Sequence, residues 1–519
     1  MKKVARRMLY VILVLLALVV LGWIFTDQLM PSAYGAQGRA LPVQPGQTPL
    51  DRAIEPQLAA HPGESGAVMV SDGLDAFALR AATLRAAGRS LDAQYYIWHD
   101  DITGRLLGRE IWMAAERGVR IRLILDDMDT AGKDHALAAL DAHPLIEIRL
   151  YNPARNRSGP KRVLEMIVRA LHINHRMHNK SWIADNRVAI VGGRNIGEEY
   201  FDASTEANFH DLDVVLAGPA VDQASAIFDR FWNSEAVIPV SALTQESEAD
   251  IERFIANVNV ESQREDAKVY LERVARDVPV QSYFDGTMKS HWSPNMAVMS
   301  DPPLKWEKET RNEWLVEHIA KQMGSTQKQA LLISPYFVPG DSFTQKLVSG
   351  VASGKEIGVI TNSLAANDVL AVHSGYMRYR KPLLAGGVTL HELRAQPGVT
   401  TDRSLLGSSG ASLHTKAYVL DGSKGFIGSF NLDPRSMKLN TEMGLLFEQP
   451  GLAEELAGEY RHLASPALSY QVKLDERGKL VWLDQRTTPP TELHKEPDSK
   501  AWQRAAVKVL SWLPIQSQL

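Results

Sequence analysis

Residues 178–195 read HNKSWIADNRVAIVGGRN, and residues 414–431 read HTKAYVLDGSKGFIGSFN. Each stretch begins with His and Lys two residues apart, runs through apolar residues to an Asp, and ends on two small residues followed by a spacer and Asn. Five positions separate Lys from Asp in both copies, and fourteen separate His from the first Gly. A single HxK pattern is common by chance, but two copies with equal spacing indicate an internal duplication.

The same order of elements precedes each copy. Before the first copy, the pattern predicts a strand at 92–98, a helix at 106–117 and a strand at 120–126. Before the second copy, it predicts a strand at 330–337, a helix at 343–353 and a strand at 357–361. This alternation predicts α/β domains, each an α/β/α sandwich with a mostly parallel sheet. Because His178 and His414 lie 236 positions apart, two such domains would each supply half of one site.

The repeated residues match the needs of phosphoryl chemistry. His and Lys two apart in a strand point to the same face, and the small residues let the backbone approach a ligand beside the Asn amide. Two copies provide two imidazoles and four groups that can donate to an anion. These groups can act as a nucleophile, a general acid and donors to the phosphate oxygens without a metal.

Composition narrows the class of protein. The 519 residues suggest about three units, and 45% hydrophobic with 23% charged residues is typical of globular proteins. There is no cysteine, which excludes disulfides, thiolate zinc sites, iron–sulfur clusters and a cysteine nucleophile. A formal net charge of −4 disfavours a strongly basic nucleic-acid-binding protein.

The N-terminus predicts membrane attachment. Residues 8–25 (MLYVILVLLALVVLGWIF) contain no charged side chain, and 18 helical residues nearly span a hydrocarbon layer of about 30 Å. The run is longer than the usual signal-peptide core of about 7–15 residues, although residues 33–35 leave cleavage open. Four basic residues precede it and none follows before Arg39. We therefore expect a single-pass inner-membrane protein with its catalytic part in the periplasm.

The doubled motif resembles that of the phospholipase D superfamily, HxKx4Dx6G(G/S)xN, and both copies match it. The finer similarity is to bacterial cardiolipin synthases, above all the C-type branch. It extends from about residue 66 to the C-terminus, and its supporting stretches are 94–101, 117–120, 176–180, 333–339 and 513–515.

The resemblance implies roles for individual residues. His178 would be the nucleophile and His414 the general acid, with the reverse assignment also open. The implied catalytic set is His178, Lys180, Asp185, His414, Lys416 and Asp421. Asn195 and Asn431 would bind the phosphate together with the two lysines, while Asp185 and Asp421 would brace the motif turns more than touch substrate.

Each histidine also needs a carboxylate to orient its far nitrogen. The resemblance assigns this role to Asp211 and Glu442, with Asp213 as a competitor for the first. Ser436 and Asn440 are weaker candidates in the second half. No metal or cofactor is implied.

The implied activity is a membrane-anchored phosphatidyltransferase. It would form cardiolipin from phosphatidylglycerol and a second phospholipid, with phosphatidylethanolamine as a candidate, through a phosphohistidine. The alternatives are a phospholipase D-type hydrolase acting on lipid or, less favoured by charge and anchor, on nucleic acid, and a non-catalytic lipid-binding scaffold. The expected partners are phospholipids and the bilayer, without nucleic acid; an accessory protein is left open.

Other histidines and one basic stretch also have to be interpreted. His172, His175 and His178 recur every three residues, as a helical metal site would require, but only His178 has a counterpart in the second copy. His99 and His210 are expected to be ordinary structural or surface residues. The basic, amphipathic stretch 154–176 favours equally a helix at an anionic bilayer surface and an insertion helix packed on the domain.

The predicted organisation follows from these patterns. The segments are a cytoplasmic basic region (1–7), a transmembrane anchor (8–26), a tether (27–65), a first domain (66–240), a connecting segment without identified chemistry (241–310), a second domain (311–468) and a C-terminal extension with an edge hairpin and a docked helix (469–519).

Overall fold

The computed structural model describes residues 34–169, 174–244, 247–277, 290–395 and 413–513, with Arg7, Tyr10 and Ser282 as isolated positions. The predicted anchor at 8–26 lies outside these ranges apart from Tyr10. Within the described ranges, no helix is both long and apolar enough to cross a membrane.

The first half of the chain is built on one mixed sheet. In the described residues its spatial order is β8-β4-β3-β2-β5-β6-β7-β1-β9. The strands are β1 (Ser65–Val70), β2 (Ser90–Tyr95), β3 (Arg120–Asp126), β4 (Ile146–Tyr151), β5 (Ser181–Ala184), β6 (Val188–Gly192), β7 (Asp213–Ala217), β8 (Val237–Pro239) and β9 (His291–Ser293).

The second half repeats this plan. Its described strands follow the order β10-β16-β15-β14-β11-β12-β13-β17-β18-β19. They are β10 (Met296–Ser300), β11 (Gln329–Ile333), β12 (Glu356–Asn362), β13 (Thr389–Leu393), β14 (Lys416–Leu420), β15 (Lys424–Gly428), β16 (Met443–Glu448), β17 (Ser469–Leu474), β18 (Leu480–Asp484) and β19 (Thr491–Leu493).

The expectation of mostly parallel sheets is wrong. Within the described sheets, only β2-β3-β4 and β11-β12-β13 run parallel; the remaining neighbours are antiparallel. The reason is that each motif folds as a hairpin whose turn is too short for the crossover that parallel strands need. The sequence pattern revealed the βαβ units but not the sheet made by the motifs themselves.

Fourteen helices of the described chain cover these sheets. They are α1 (Pro49–Ala60), α2 (Gly73–Ala86), α3 (Ile102–Glu116), α4 (Asp134–Asp141), α5 (Gly159–Val168), α6 (Pro219–Trp232), α7 (Glu248–Glu261), α8 (Glu265–Asp277), α9 (Leu315–Gly324), α10 (Gly340–Ala352), α11 (Leu370–Ala385), α12 (Pro434–Lys438), α13 (Pro450–Leu463) and α14 (Ala501–Leu510).

Among the described residues, three large hydrophobic cores hold the sheets and helices together, and a small fourth cluster packs α14 against α11. One lies between the first sheet and helices that include α2 and α3, and another between the second sheet and helices that include α10 and α11. The third joins the halves: Val191 and Val214 of the first sheet belong to the same buried cluster as Ile427 and Leu445 of the second. Burial of one shared core fixes the two motif hairpins relative to each other.

Several segments are more ordered than the sequence suggested. The second half of the predicted tether forms α1, which begins with a capping box between Thr48 and Asp51 and buries Leu50 and Ile54. In the predicted connecting segment, β9 pairs with β1 and β10 pairs with β16, so the segment extends both sheets. The predicted C-terminal hairpin is present as β17 and β18.

Candidate active site

The two motif hairpins have the same construction. β5 and β6 pair in the first, and β14 and β15 in the second, with Asp185 and Asp421 in left-handed conformation at the turns (φ 53° and 52°). The Asp185 carboxylate accepts hydrogen bonds from the backbone N–H groups of residues 88, 89 and 90, and Asp421 does the same for residues 327, 328 and 329. Both carboxylates therefore tie a turn to the start of the adjacent strand, β2 or β11, which runs antiparallel to the motif strand. Neither lines the site.

The backbone at the start of each motif is hydrogen-bonded to the other half of the molecule. The His178 N–H donates to the Thr441 carbonyl (2.8 Å), and the His414 N–H donates to the His210 carbonyl (2.8 Å). Each HxK segment is also held by the last residue of a parallel strand in its own half. Asp126 accepts from the Met177 N–H, and Asn362 exchanges hydrogen bonds with the backbone of Leu413.

This crossing pairs each imidazole with a carboxylate from the opposite half. His178 Nδ1 lies 2.7 Å from Glu442 Oε2, and His414 Nδ1 lies 2.6 Å from Asp211 Oδ2. A carboxylate at Nδ1 holds its proton there and leaves Nε2 free to react. Asp213, the competing candidate, instead forms buried ion pairs with Arg80 and Arg194.

Glu442 is supported by groups that the sequence analysis assigned little weight. Ser436 Oγ donates to Oε1 (2.8 Å), and the Ser429 hydroxyl donates to Oε2. The Glu442 N–H donates to Asp301, which also receives the Lys305 ammonium at 2.8 Å. The connecting segment 241–310, in which no chemistry was identified from the sequence, thus contributes Asp301 and Lys305, which position the backbone of Glu442.

The small residues of the motif have different tasks in the two copies. A Cβ at Gly193 would lie 2.2 Å from Asp211 Oδ1, so only glycine leaves room for that carboxylate beside His414. The corresponding Ser429 keeps its side chain, which donates to Glu442 and accepts from the Met443 N–H (3.0 Å).

The two lysines are completely buried beneath the histidines. Lys180 Nζ donates to the His178 carbonyl (2.8 Å) and lies 5.4 Å from the centre of the Tyr96 ring; Lys416 donates to the His414 carbonyl. Burial lowers the pKa of Lys180 to about 7 and that of Lys416 to about 8. The negative charges of Glu442 and Asp211 act in the opposite direction and raise both pKa values, but they do not outweigh burial. A bound phosphate would favour the charged ammonium forms.

The surroundings of both imidazoles favour their neutral form. Burial, reinforced by the nearby lysines, lowers the pKa of His178 well below its ordinary value and that of His414 to about 3. Their carboxylates differ. Despite burial, the nearby His414 holds the pKa of Asp211 at about 2, whereas burial raises that of Glu442 to about 7.

A cavity of about 1080 Å³ opens over both imidazoles. Asn195, Asn431, Ser436 and Asn440, all singled out in the sequence, line it. Asn195 is held by the Ile97 N–H and the Tyr200 hydroxyl. Further residues of the lining lie outside the two motifs, namely Tyr96, Tyr200, Phe209, Tyr336, Asp368 and Arg435.

Aromatic rings hold the imidazoles in place. The Tyr96 ring packs edge-on against His178 with centroids 5.1 Å apart, while Phe209 stacks on His414 at 5.5 Å. Tyr96 lies in the stretch 94–101 that supported the family resemblance, and this was the available signal for it. Tyr336 likewise lies in the stretch 333–339 that supported the resemblance. Tyr200 and Phe209 lie between β6 and β7, where no sequence period marks them.

The other histidines singled out in the sequence have different surroundings from His178 and His414. His99 lines the cavity, and its ring nitrogens lie within 4.0 Å of carboxylate oxygens of Asp101, Asp129 and Glu199. His172 lies outside the described residues. Among those described, the one group of three potential metal ligands is His99, Asp101 and Glu199, without His175 or His178.

Comparison with known proteins agrees with this geometry. The model of the family "Cardiolipin synthase, PLD-like domain" matches residues 81–232 and 319–464, which include both motifs. The chain is 41% identical to cardiolipin synthase C of Escherichia coli strain K12 over 473 residues, covering 90% of this chain and 99% of that protein. It is 23% identical to a cardiolipin synthase of Staphylococcus aureus strain Mu50, covering 74% of this chain and 64% of that protein.

A solved structure shares the fold. The phosphatidylserine synthase of Haemophilus influenzae Rd KW20 aligns over 91% of this chain and all of its own, with a TM-score of 0.55 and 12% identity. The matched family model, the relative at 41% identity and the doubled motif in one cavity lead to a single conclusion. The chain belongs to the cardiolipin synthase family of phospholipase D-like proteins.

Proposed function

We propose that the protein is a phosphatidyltransferase that forms cardiolipin from phosphatidylglycerol and a second phospholipid. The observation that carries this proposal is the pair of imidazoles over one cavity, each bound at Nδ1 by a buried carboxylate. Two such histidines can share the work of a double displacement.

In the first displacement, Nε2 of His178 attacks the phosphorus of the donor lipid. The bond from phosphorus to the head-group oxygen breaks, and Nε2 of His414 gives that oxygen a proton. Lys180, Lys416, Asn195 and Asn431 would stabilise the charge on the non-bridging oxygens. The anionic substrate also offsets the field of Lys416, which favours the imidazolium that His414 needs.

In the second displacement, the now neutral His414 takes a proton from a hydroxyl of phosphatidylglycerol. The alkoxide oxygen attacks phosphorus, the P–N bond to His178 breaks and cardiolipin leaves. One phosphodiester replaces another, so no ATP is required. Phosphatidylethanolamine and a second phosphatidylglycerol are the candidate donors.

The difference between the carboxylates supports the assignment of the two histidines. Asp211 keeps its negative charge, with a pKa of about 2, and so favours an imidazolium at His414. Glu442, with a pKa of about 7, offers His178 less negative charge near neutral pH. A neutral His178 suits a nucleophile. The Asp211 carboxylate, together with a bound anionic substrate, favours the imidazolium form that His414 needs as a general acid.

The bilayer is part of the proposal. Alongside the apolar run at 8–26, α5 exposes Val163 (58%), Met166 (44%) and Ile167 (58%) next to Lys161 and Arg162. Arg157, Arg169 and Arg176 form ion pairs inside the protein, so only part of the basic stretch 154–176 is available to face lipid. We assign the exposed apolar face of α5 to the surface of an anionic membrane.

A product assay tests the transferase. Purified protein in detergent micelles is incubated with labelled phosphatidylglycerol, with and without phosphatidylethanolamine, and the lipids are resolved. Cardiolipin is expected with the unmodified chain and not with His178→Ala. A higher yield when phosphatidylethanolamine is present would identify it as a donor.

Other outcomes have definite meanings. Phosphatidic acid without cardiolipin would identify a hydrolase. Lipid binding without any product, by protein shown to be folded, would favour the scaffold alternative and contradict the transferase.

A further inference from the structure

The C-terminal helix α14 has one docked face and one open face. Gln503 and Val507 are buried on the docked face, where Val507 packs with Leu364 and Leu370. The open face carries large apolar side chains that the described part of the chain leaves 45–72% exposed, namely Trp502, Val509, Trp512 and Leu513. The outer face of a surface helix is normally polar, and grouped apolar side chains at the surface mark an interaction site.

These side chains form one apolar row. Trp502, Ala505 and Val509 follow one another at helical intervals of three and four residues. Trp512 and Leu513 extend the row through the turn that closes the helix, where their N–H groups donate to the carbonyls of residues 509 and 510. A short apolar row with a tryptophan near each end is typical of a helix that lies in the interface of a bilayer.

A basic depression borders the apolar row. It has a volume of about 480 Å³ and lies between α11, β18 and α14. Its cationic lining consists of Lys381, Lys479, Lys495, Arg504 and Lys508, with His494 beside them. Among the described residues of this lining, Glu496 is the one carboxylate, and Arg380 binds it at 2.5 Å. Because like charges repel, five cations around one depression favour an anionic partner.

The lysines of the depression are available to such a partner. No ion pair of Lys381, Lys495 or Lys508 occurs among the residues that the structure describes. Lys508 joins the two features, since it lines the depression and directly precedes Val509 of the apolar row. Residues 499–513 include three basic residues and no acidic one. An apolar row beside unpaired cations matches the acyl region and the phosphate layer of an anionic bilayer.

The surface is attached to the element that forms one wall of the active cavity. Leu370 begins α11 and packs with Val507, while its neighbours Val369 and Val372 line the cavity. We infer that the apolar row and the basic depression together form a second membrane-binding surface, separate from α5. The row enters the bilayer interface, and the lysines bind the phosphates of anionic phospholipids. This inference goes beyond the proposed function and holds whichever reaction the cavity catalyses.

The absence of cysteine allows a probe at a single position. Full-length Val509→Cys is labelled with the polarity-sensitive nitrobenzoxadiazole group. It is reconstituted in vesicles of phosphatidylcholine with or without phosphatidylglycerol. With phosphatidylglycerol, we expect the emission to rise and shift to the blue. A lipid that carries a nitroxide near the glycerol end of its acyl chain should quench it more than one labelled near the chain end.

Val260→Cys on α7 is the matched control, because that valine is also about half exposed (55%). Its label should show neither the shift nor the quenching. Attachment of the chain to vesicles by other segments does not affect the comparison, since each label reports only on its own position. If labelled Val509→Cys does not fold, Trp512→Cys provides the same readout.

The role of charge is tested in the labelled protein. Replacing Lys381, Lys495 and Lys508 with glutamine should weaken the docking equilibrium by about 5-fold per lysine. The half-maximal response should then need a higher fraction of phosphatidylglycerol. Exposed lysines elsewhere serve as the matched control, and Lys268→Gln, Lys321→Gln and Lys346→Gln together should leave the response unchanged.

Three outcomes would overturn the proposal. The first is a response at position 509 no larger than that at position 260, in protein with the melting temperature of the unmodified chain. The second is an equal response without phosphatidylglycerol that the lysine substitutions leave intact. The third is a response that grows with the ratio of protein to lipid, which would assign the row to a second copy of the chain. The readout involves no turnover, so each of these results leaves the proposed function standing.

Discussion

At the scale of single residues, the site depends on two carboxylates that do not touch the substrate. Asp211 and Glu442 bind Nδ1 of the opposite histidines at 2.6 and 2.7 Å. An amide in the same place can present its N–H₂ group to Nδ1 and so favour the wrong tautomer. The two carboxylates thus set the reactive form of each imidazole.

Asp211→Asn and Glu442→Gln should therefore each lower kcat by about 100-fold or more, measured by cardiolipin formation at saturating lipid. Asp213→Asn is the matched contrast, since that carboxylate pairs with Arg80 rather than a histidine. It should lower the melting temperature and reduce kcat of the folded protein much less. Equal losses of kcat in Asp211→Asn and Asp213→Asn would contradict the assignment.

A second residue-scale prediction concerns acid stability. The pKa of His414 falls from an ordinary value of 6.5 in the unfolded chain to about 3 in the folded protein. Between these pH values the unfolded chain therefore binds more protons than the folded protein. The contribution of neutral His414 to the free energy of unfolding is thus fully present above pH 6.5 and is lost on acidification toward pH 3. The loss is at most about 1.4 kcal/mol per pH unit for one group.

In the His414→Asn variant, the free energy of unfolding should depend less steeply on pH between pH 6.5 and 4 than in the unmodified protein. Chemical denaturation of both proteins at several pH values measures this, and the difference between them cancels the contributions of other groups. A steeper dependence in the variant would contradict a buried neutral imidazole.

At the scale of elements, the motif aspartates act on hairpins. Asp185 accepts three backbone N–H groups and has no exposed surface. Asp185→Ala should lower the free energy of unfolding by about 1–3 kcal/mol because it leaves these donors unpaired. Denaturation and kcat measured on the same preparation test this; a loss of kcat as large as that of His178→Ala, without loss of stability, would place Asp185 in the chemistry instead.

The helix α5 gives a prediction about membranes. Val163→Glu and Ile167→Glu place charge on its exposed apolar face and should weaken binding to vesicles containing phosphatidylglycerol, measured by co-sedimentation. Val260→Glu is the matched control on α7, where the valine is 55% exposed. An equal effect at all three positions would contradict a specific lipid-facing role for α5.

Much at this scale could be predicted from sequence. The equal spacing of the two motifs identified the duplication, and the structure places the two copies at equivalent positions of the two sheets. The antiparallel pairing escaped prediction, since apolar runs do not reveal strand direction. Tyr336, Asp368 and the Asp301–Lys305 pair also escaped, because loop residues follow no period and their neighbours are distant in the sequence.

At the scale of the whole molecule, the shared core should make the two halves unfold together. Leu445 lies in the second sheet, fully buried, in the cluster that also contains Val191 and Val214 of the first. Leu445→Ala should cost about 2–5 kcal/mol. Hydrogen exchange should then rise in both sheets; a rise confined to the second sheet would show that the halves are independent.

The crosswise pairing of histidines and carboxylates has an evolutionary consequence. Two identical subunits related by a two-fold axis could build the same site, but both imidazoles would then have identical surroundings. Joining the copies in one polypeptide removes that constraint, because a residue of one copy can then be substituted while the equivalent residue of the other copy stays unchanged. Aspartate opposite glutamate and Gly193 opposite Ser429 are substitutions of this kind. Covalent fusion is thus what allows the two histidines to specialise.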